Sequence, residues 1–228
     1  MTVENRRMTV PAHSDIRIQT DTIGEAWLEI AARILADGRP SEYDELPILE
    51  VEQATLTVTG PSATDAIISR FADPERLEWM HANFTDHSLV AELGGARSYA
   101  SRLFDYGGTG RNQVEWVIER LRTDPSTRSA TITTFEPLLD TTYIPCVSLL
   151  DFWMRDGALE QVVYAHSIDF GSKGYGNLVE LAWLQEYIGA QLGVPVGNLV
   201  FVIKSAHVYD TELDVMNGVL AKSGALGA

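Results

Sequence analysis

Two apolar runs, at residues 147–153 and 162–164, are joined across Arg155-Asp156-Gly157, and this arrangement constrains the chain more than any other feature. Apolar runs linked by an Asp-Gly turn predict a β-hairpin. Cys146, the single cysteine, follows Pro145 and opens the first strand, while His166, Ser167 and Asp169 close the second. Antiparallel strands fold back on each other, so a thiol, an imidazole, a hydroxyl and a carboxylate are expected to crowd one end of a sheet.

A lone cysteine is more often a small buried hydrophobe than a nucleophile. The residues that accompany this one change the reading. Pro145-Cys146, then Ser167-x-Asp169, then Asn177, then His207-x-Tyr209 form an ordered set. That set resembles the thymidylate synthase family, whose pattern runs Pro-Cys, Arg-Ser-x-Asp, a Gly/Pro loop ending in Asn, and His-x-Tyr. Upstream, Asp124-Pro125-Ser126-Thr127-Arg128 is similar to that family's Asp-Pro-x-Ser-Arg-Arg segment, and Tyr99-Ala100-Ser101-Arg102 to its Tyr-Gly-x-Arg/Gln stretch. The likeness covers about residues 97–210.

The resemblance implies an α/β (α+β) fold, a large mixed sheet covered by helices, with a bare sheet face that pairs two chains into a homodimer. It implies addition of the Cys146 thiolate to carbon-6 of a uracil nucleotide, and transfer of a one-carbon unit from 5,10-methylenetetrahydrofolate to carbon-5. Cys146, Tyr99 and Asp169 are the expected catalytic residues, with Asp169 facing the pterin. Arg128, His166, Ser167, Lys173, Asn177, His207 and Tyr209 are the expected substrate-binding set, with Arg128 serving the other subunit's site, and no metal is expected. Asn177 offers both donor and acceptor to O4 and N3–H of uracil. Arg128 and His166 are candidates for the cations that favour the thiolate.

Departures from the family pattern qualify these expectations. His166 and Ser129 stand where the family has arginines, and Lys173-Gly174-Tyr175-Gly176-Asn177 replaces its Gly-x-Pro-x-Asn. The loop carrying Arg39 does not keep the family's phosphate arginine, and its catalytic glutamate falls on Arg76, between Glu75 and Glu78. A weakened dependence on a 5′-phosphate follows, since lysine lacks the bidentate fork of arginine. The chain ends soon after Tyr209 without a lid segment, which favours water as the quencher and hence hydroxymethyl transfer as an alternative. A degenerate homologue that binds a nucleotide without turnover is a further reading, and a stand-alone cysteine hydrolase a distant one.

Composition bounds the rest. At 228 residues the chain fits one domain, expected at 15–228 after a flexible lead-in at 1–14. A net charge of −15 argues against nucleic-acid polymers as partners. No apolar run is long enough to span a membrane. A single cysteine and the lack of an apolar leader fit a reducing cytoplasm.

Along the chain, Thr22-x-x-Glu25 predicts a helix start, with apolar positions continuing to Leu35 and a stop at Asp37-Gly38. Residues 39–47 read as a polar loop, 49–59 as a strand, 63–72 as a helix, and Asp73-Pro74 as the start of another. Helices are expected at 99–103, 112–123 and 174–192, and strands at 128–135 and 199–203. Residues 81–95 give weak signals, and 221–228 are expected to fray. Trp27 reads as core.

Overall fold

The computed structural model describes residues 16–141 and 143–225; the expected lead-in at 1–14 lies outside them. In chain order the elements are β1 (Ile16–Thr20), α1 (Ile23–Asp37), β2 (Arg39–Tyr43), β3 (Leu46–Val58), α2 (Ala66–Phe71) and α3 (Pro74–Thr85). A small ribbon of β4 (Leu89–Val90) and β5 (Ala96–Arg97) follows, then α4 (Tyr99–Phe104), α5 (Gln113–Thr123) and β6 (Ala130–Thr133). The hairpin of β7 (Val147–Arg155) and β8 (Ala158–Ala165) leads to β9 (Ile168–Asp169), α6 (Gly174–Leu192), β10 (Val196–Tyr209) and α7 (Leu213–Ser223). Among the described residues no helix is long and apolar enough to cross a membrane.

Six strands form one mixed sheet in the order β1-β3-β10-β8-β7-β6, with β2 added beside β3 and β9 beside β10. Asp156 and Gly157 both take positive φ, 52° and 83°, which is the geometry of a two-residue turn matched to strand twist. The core lies between the sheet and its helices. Along β8, Val163 and Ala165 are buried while Tyr164 is 40% exposed, the period-two alternation of a strand with one covered face. The helical cover begins with α1, whose Thr22 cap and Glu25 close a capping box. Trp27 is core, 1% exposed, and its indole N–H donates to the Phe170 carbonyl at 3.0 Å.

Four expectations are corrected. Residues 39–47 are not a loop: β2 pairs with β3 through a turn at Asp44-Glu45, with Tyr43 opposite Leu46. Both turn residues have positive φ, 50° and 63°, without a glycine, so the usual hairpin signature is missing from the sequence. The last strand is much longer than 199–203, because β10 pairs with β3 from Leu199 to Tyr209 and with β8 and then β9 on its other side. The helix expected at 63–72 is only α2, capped by Asp65, whose carboxylate accepts from Ile67 and Ile68 N–H. Finally, residues 221–223 are not frayed but complete α7, anchored by buried Met216 and Leu220.

Candidate active site

Strand register assembles the site. Val147 lies opposite Ala165, and the amide of His166 donates to the Cys146 carbonyl at 3.0 Å. β9 then pairs with β10 so that Asp169 lies opposite His207, and Phe170 N–H donates to the His207 carbonyl at 2.8 Å. Helix α6 starts directly behind, bringing Lys173 and Asn177. Its close approach needs glycines: a Cβ at Gly174 would meet the Asp169 carbonyl at 2.9 Å, and one at Gly176 would meet the Met80 Cβ at 2.9 Å.

Cys146, Ser167, Asp169, Lys173, Asn177, His207, Tyr209 and Tyr99 all line one cavity of about 90 Å³. Tyr99 is buried and its hydroxyl accepts from Val147 N–H at 3.0 Å, so its own proton is free to donate elsewhere. Asp169 accepts from Gly171 N–H at 2.9 Å and from the Ser172 hydroxyl at 2.8 Å. Ser167 Oγ meets His207 Nδ1 at 3.4 Å, while His207 Nε2 is buried with no hydrogen-bond partner among the described residues. Among the described residues the Asn177 side chain hydrogen-bonds the Met80 sulfur alone, Nδ2 to Sδ 3.7 Å, which leaves its amide available to a ligand edge.

Burial pushes the half-buried Cys146 thiol up to about 11, against the pull of Lys173 and a hydrogen bond from Tyr143. The resting group is therefore a thiol. Burial also lowers His207, so its imidazole is neutral near neutrality. Tyr99, Tyr143 and Tyr209 are raised, chiefly by burial, and remain phenols.

Two expected residues are not in this cavity. His166 meets Ser148 Oγ at 3.4 Å through Nδ1, and burial together with the nearby Lys204 lowers it. His166 lies in the bend between β8 and β9, where its ring turns toward Ser148, whereas Ser167 lines the cavity. Arg128 is exposed ahead of β6 and does not line the cavity of its own chain. The cation that acts on Cys146 is Lys173 instead, its ammonium 5.6 Å from the centroid of the Trp79 ring. Neither Glu75 nor Glu78 reaches the cavity, and no glutamate among the described residues lines it. Arg102 is unavailable to a ligand, because it makes a bidentate pair with Asp140 at 2.7 and 2.8 Å.

Tyr43, Asp44, Trp79, Met80, Asn83, Leu93 and Tyr143 complete the lining, and the sequence reading gave none of them a role. Trp79, Met80 and Asn83 share one face of α3 at the i, i+1, i+4 positions, a helical pattern that could have pointed to them. Tyr43 and Asp44 depend on a hairpin that the sequence does not signal. A second cavity, about 460 Å³, adjoins the first and shares Asp44, Leu93 and Tyr143 with it.

The sequence profile of a family described as thymidylate synthase matches residues 66–225. Proteins named "Putative thymidylate synthase" align over nearly their full length. The one from Methanothermobacter marburgensis is 31% identical over 86% of this chain and 93% of its own. That from Methanosarcina mazei is 32% identical, and that from Methanosarcina barkeri 34%, each over 89% of this chain and 94% of its own. With the profile matched over more than half of its length and such relatives spanning most of both chains, this chain belongs to the thymidylate synthase family.

Proposed function

We propose that the chain transfers a one-carbon unit from 5,10-methylenetetrahydrofolate to carbon-5 of uracil in a nucleotide or nucleoside, with Cys146 as the nucleophile. The observation that carries this reading is a pair of adjoining cavities. The smaller holds Cys146, Asn177 and Asp169, and the larger shares a boundary with it at Leu93 and Tyr143. The smaller takes the pyrimidine and the reacting end of the donor, and the larger takes the rest of the donor.

Asn177 holds the uracil edge through its amide, which offers one acceptor and two donors. Cys146 gives its proton to solvent, Lys173 stabilises the resulting thiolate, and the thiolate adds to carbon-6. Electron density then moves through carbon-5 toward O4, which makes carbon-5 nucleophilic. After carbon-5 has attacked the one-carbon unit, a water molecule that accepts the Tyr99 hydroxyl hydrogen bond takes the carbon-5 proton to solvent. The residues also suit the donor: Asp169 keeps lone pairs for ring N–H groups beyond those used by Gly171 and Ser172, and Trp79, Leu93 and Tyr143 offer apolar walls. When bound, the folate supplies a one-carbon unit at the oxidation level of formaldehyde.

The same reading makes the protein a homodimer. Leu149, Tyr164 and Val202 are 37%, 40% and 40% exposed, and they lie on the sheet face opposite the helices, a surface suited to a second copy. Arg128 would then serve the partner's site. Mixed dimers of Cys146→Ala and Arg128→Ala chains should regain one working site, and no recovery from two inactive parents would rule out the shared arrangement. The reaction is tested by release of tritium from carbon-5 of labelled uracil substrates with and without folate. Product mass separates methyl from hydroxymethyl transfer. Binding without release would leave the chain a nucleotide-binding homologue only.

A further inference from the structure

Behind Asp169 lies a second carboxyl that the proposed reaction does not use. Past Tyr209 the chain turns through the 3-10 segment Asp210–Glu212 into α7, and this turn lays Glu212 against the loop at Gly171-Ser172. A Cβ at Gly171 would meet Glu212 Oε2 at 2.1 Å and the Glu212 Cβ at 3.0 Å. Gly171 does not take a positive φ, so the glycine makes room for the carboxyl and not for a turn conformation.

The same loop holds Asp169. Asp169 Oδ1 accepts from Gly171 N–H and Oδ2 from the Ser172 hydroxyl, and the Glu212 carboxyl lies within reach of both Ser172 Oγ and the Asp169 carboxylate. Glu212 Oε2 is buried and has no hydrogen-bond partner among the described residues. An ionised carboxylate is costly there, because a buried charged oxygen accepts nothing and a second negative charge stands beside it. A neutral acid suits the same place, since its O–H finds an acceptor in Ser172 or Asp169.

The surrounding charges agree. Lys173, at the start of α6, favours the ionised form, but burial and Asp169 outweigh it and push the Glu212 carboxyl up to about 7. Asp73, Arg76 and Tyr175 share with Glu212 a cavity of about 300 Å³ behind the loop. Arg76 is drawn to Glu92 at 3.7 Å, and burial keeps Tyr175 a phenol. Asp210 and Asp214, beside Glu212 in the chain, are exposed. Asp169 is the ionised member of the pair because it holds the Gly171 and Ser172 donors.

We propose that Glu212, as a neutral acid, is a positioning residue for Asp169: it gives its proton to the Asp169–Ser172 pair and so fixes the carboxylate that receives a ring N–H of the one-carbon donor. Loss of that proton reverses the contact, because an ionised Glu212 competes with Asp169 for the Ser172 hydroxyl. Donor binding is thereby tied to the protonation of a residue that does not line the Cys146 cavity. The inference rests on the donor chemistry proposed above and adds the residue that holds Asp169 and the pH range in which it does so.

The test is calorimetric titration of the full-length protein, saturated with deoxyuridine 5′-monophosphate, with tetrahydrofolate from about pH 6 to about pH 8.5, the range in which Glu212 titrates. Wild-type affinity should fall by about tenfold across that range. Glu212→Gln keeps a donor and never ionises, so it should hold the low-pH affinity throughout. Glu212→Leu lacks a donor and should bind about tenfold more weakly than wild type at about pH 6. If the leucine variant folds poorly, wild type against Glu212→Gln decides the matter, because other titrating groups act on both alike. Affinity that falls in parallel in wild type and Glu212→Gln, or that stays constant in wild type, overturns the inference while leaving donor binding intact. Failure of either compound to bind at every pH removes this inference and the proposed reaction together.

Discussion

One wall of the Cys146 cavity comes from residues 143–209 and the other from residues 43–99, and the two are held by different means. The first is fixed by backbone. His166 N–H to Cys146 O, Phe170 N–H to His207 O and Val147 N–H to the Tyr99 hydroxyl pin Cys146, Asp169 and His207 to sheet register. The second is fixed by side chains and a strained turn: Tyr43 and Asp44 at a hairpin tip, Trp79 and Met80 on α3, Leu93 in the 3-10 turn Ala91–Leu93. The backbone-held wall carries the groups that match the family pattern, while the other departs from it. Reaction chemistry tolerates little displacement of its atoms, so it sits where register fixes position. The other wall includes a turn whose residues can change without disturbing that register.

The largest expected effect attacks the backbone-held wall. Cys146→Ala should lower carbon-5 exchange by roughly a thousandfold or more, and it should change stability by only about 1 kcal/mol, as read by urea unfolding. Equal activity in that variant would show that the two walls do not divide the labour as described. Next in size is the strut beneath that wall. Arg102, 1% exposed, pairs with Asp140 and also donates to the Thr134 carbonyl, bracing the segment that leads to Cys146. Arg102→Leu leaves a buried carboxylate unpaired and should cost about 3–5 kcal/mol. Arg102→Leu with Asp140→Leu should recover most of that loss in the same unfolding measurement.

Two smaller predictions concern the acids and the cation behind Cys146. Burial, reinforced by the Asp169 carboxylate, pushes the Glu212 carboxyl up to about 7. The folded chain then keeps a proton that the unfolded chain releases near about pH 4.3. Stability from this group is present below that pH and lost as pH rises toward 7. Glu212→Gln should therefore flatten the pH dependence, gaining about 1 kcal/mol near pH 8 once solvent screening is discounted, with no gain at about pH 4. Lys173→Met should slow alkylation of Cys146 by about threefold near pH 8, because it removes the charge that favours the thiolate. Faster alkylation would mean that Lys173 does not act on the thiol.

The contrast between the walls also explains what the sequence made legible. The turn at Asp156-Gly157 announces itself chemically, and once its hairpin is granted, pairing carries Cys146 to Ser167 and Asp169. His207 and Tyr209 were legible as a motif, although the strand that delivers them is far longer than its apolar core at 199–203 suggested. His166 is adjacent to Ser167 in sequence but not in the cavity, because the chain bends between β8 and β9 and carries its ring to Ser148. Tyr43 and Asp44 were not legible at all. Their hairpin turns on Asp44-Glu45, residues that adopt positive φ only when the surrounding structure compels it. The α7 helix does carry the helical spacing Leu213, Met216 and Leu220, but only Met216 and Leu220 are buried, and its glycine at Gly218 and small residues after Leu220 weaken the signal.

The central claim is that Cys146 adds to carbon-6 of uracil, and covalent trapping tests it most directly. Fluorine at carbon-5 cannot leave as a cation, so 5-fluoro-2′-deoxyuridine should halt the reaction after the thiolate has added. Intact mass of the denatured protein, after incubation with this nucleoside and methylenetetrahydrofolate, should show a covalent gain that peptide mapping assigns to Cys146 and that Cys146→Ala lacks. An unmodified wild-type protein at a concentration where calorimetry shows the nucleoside bound, or an equal gain in Cys146→Ala, would contradict the account.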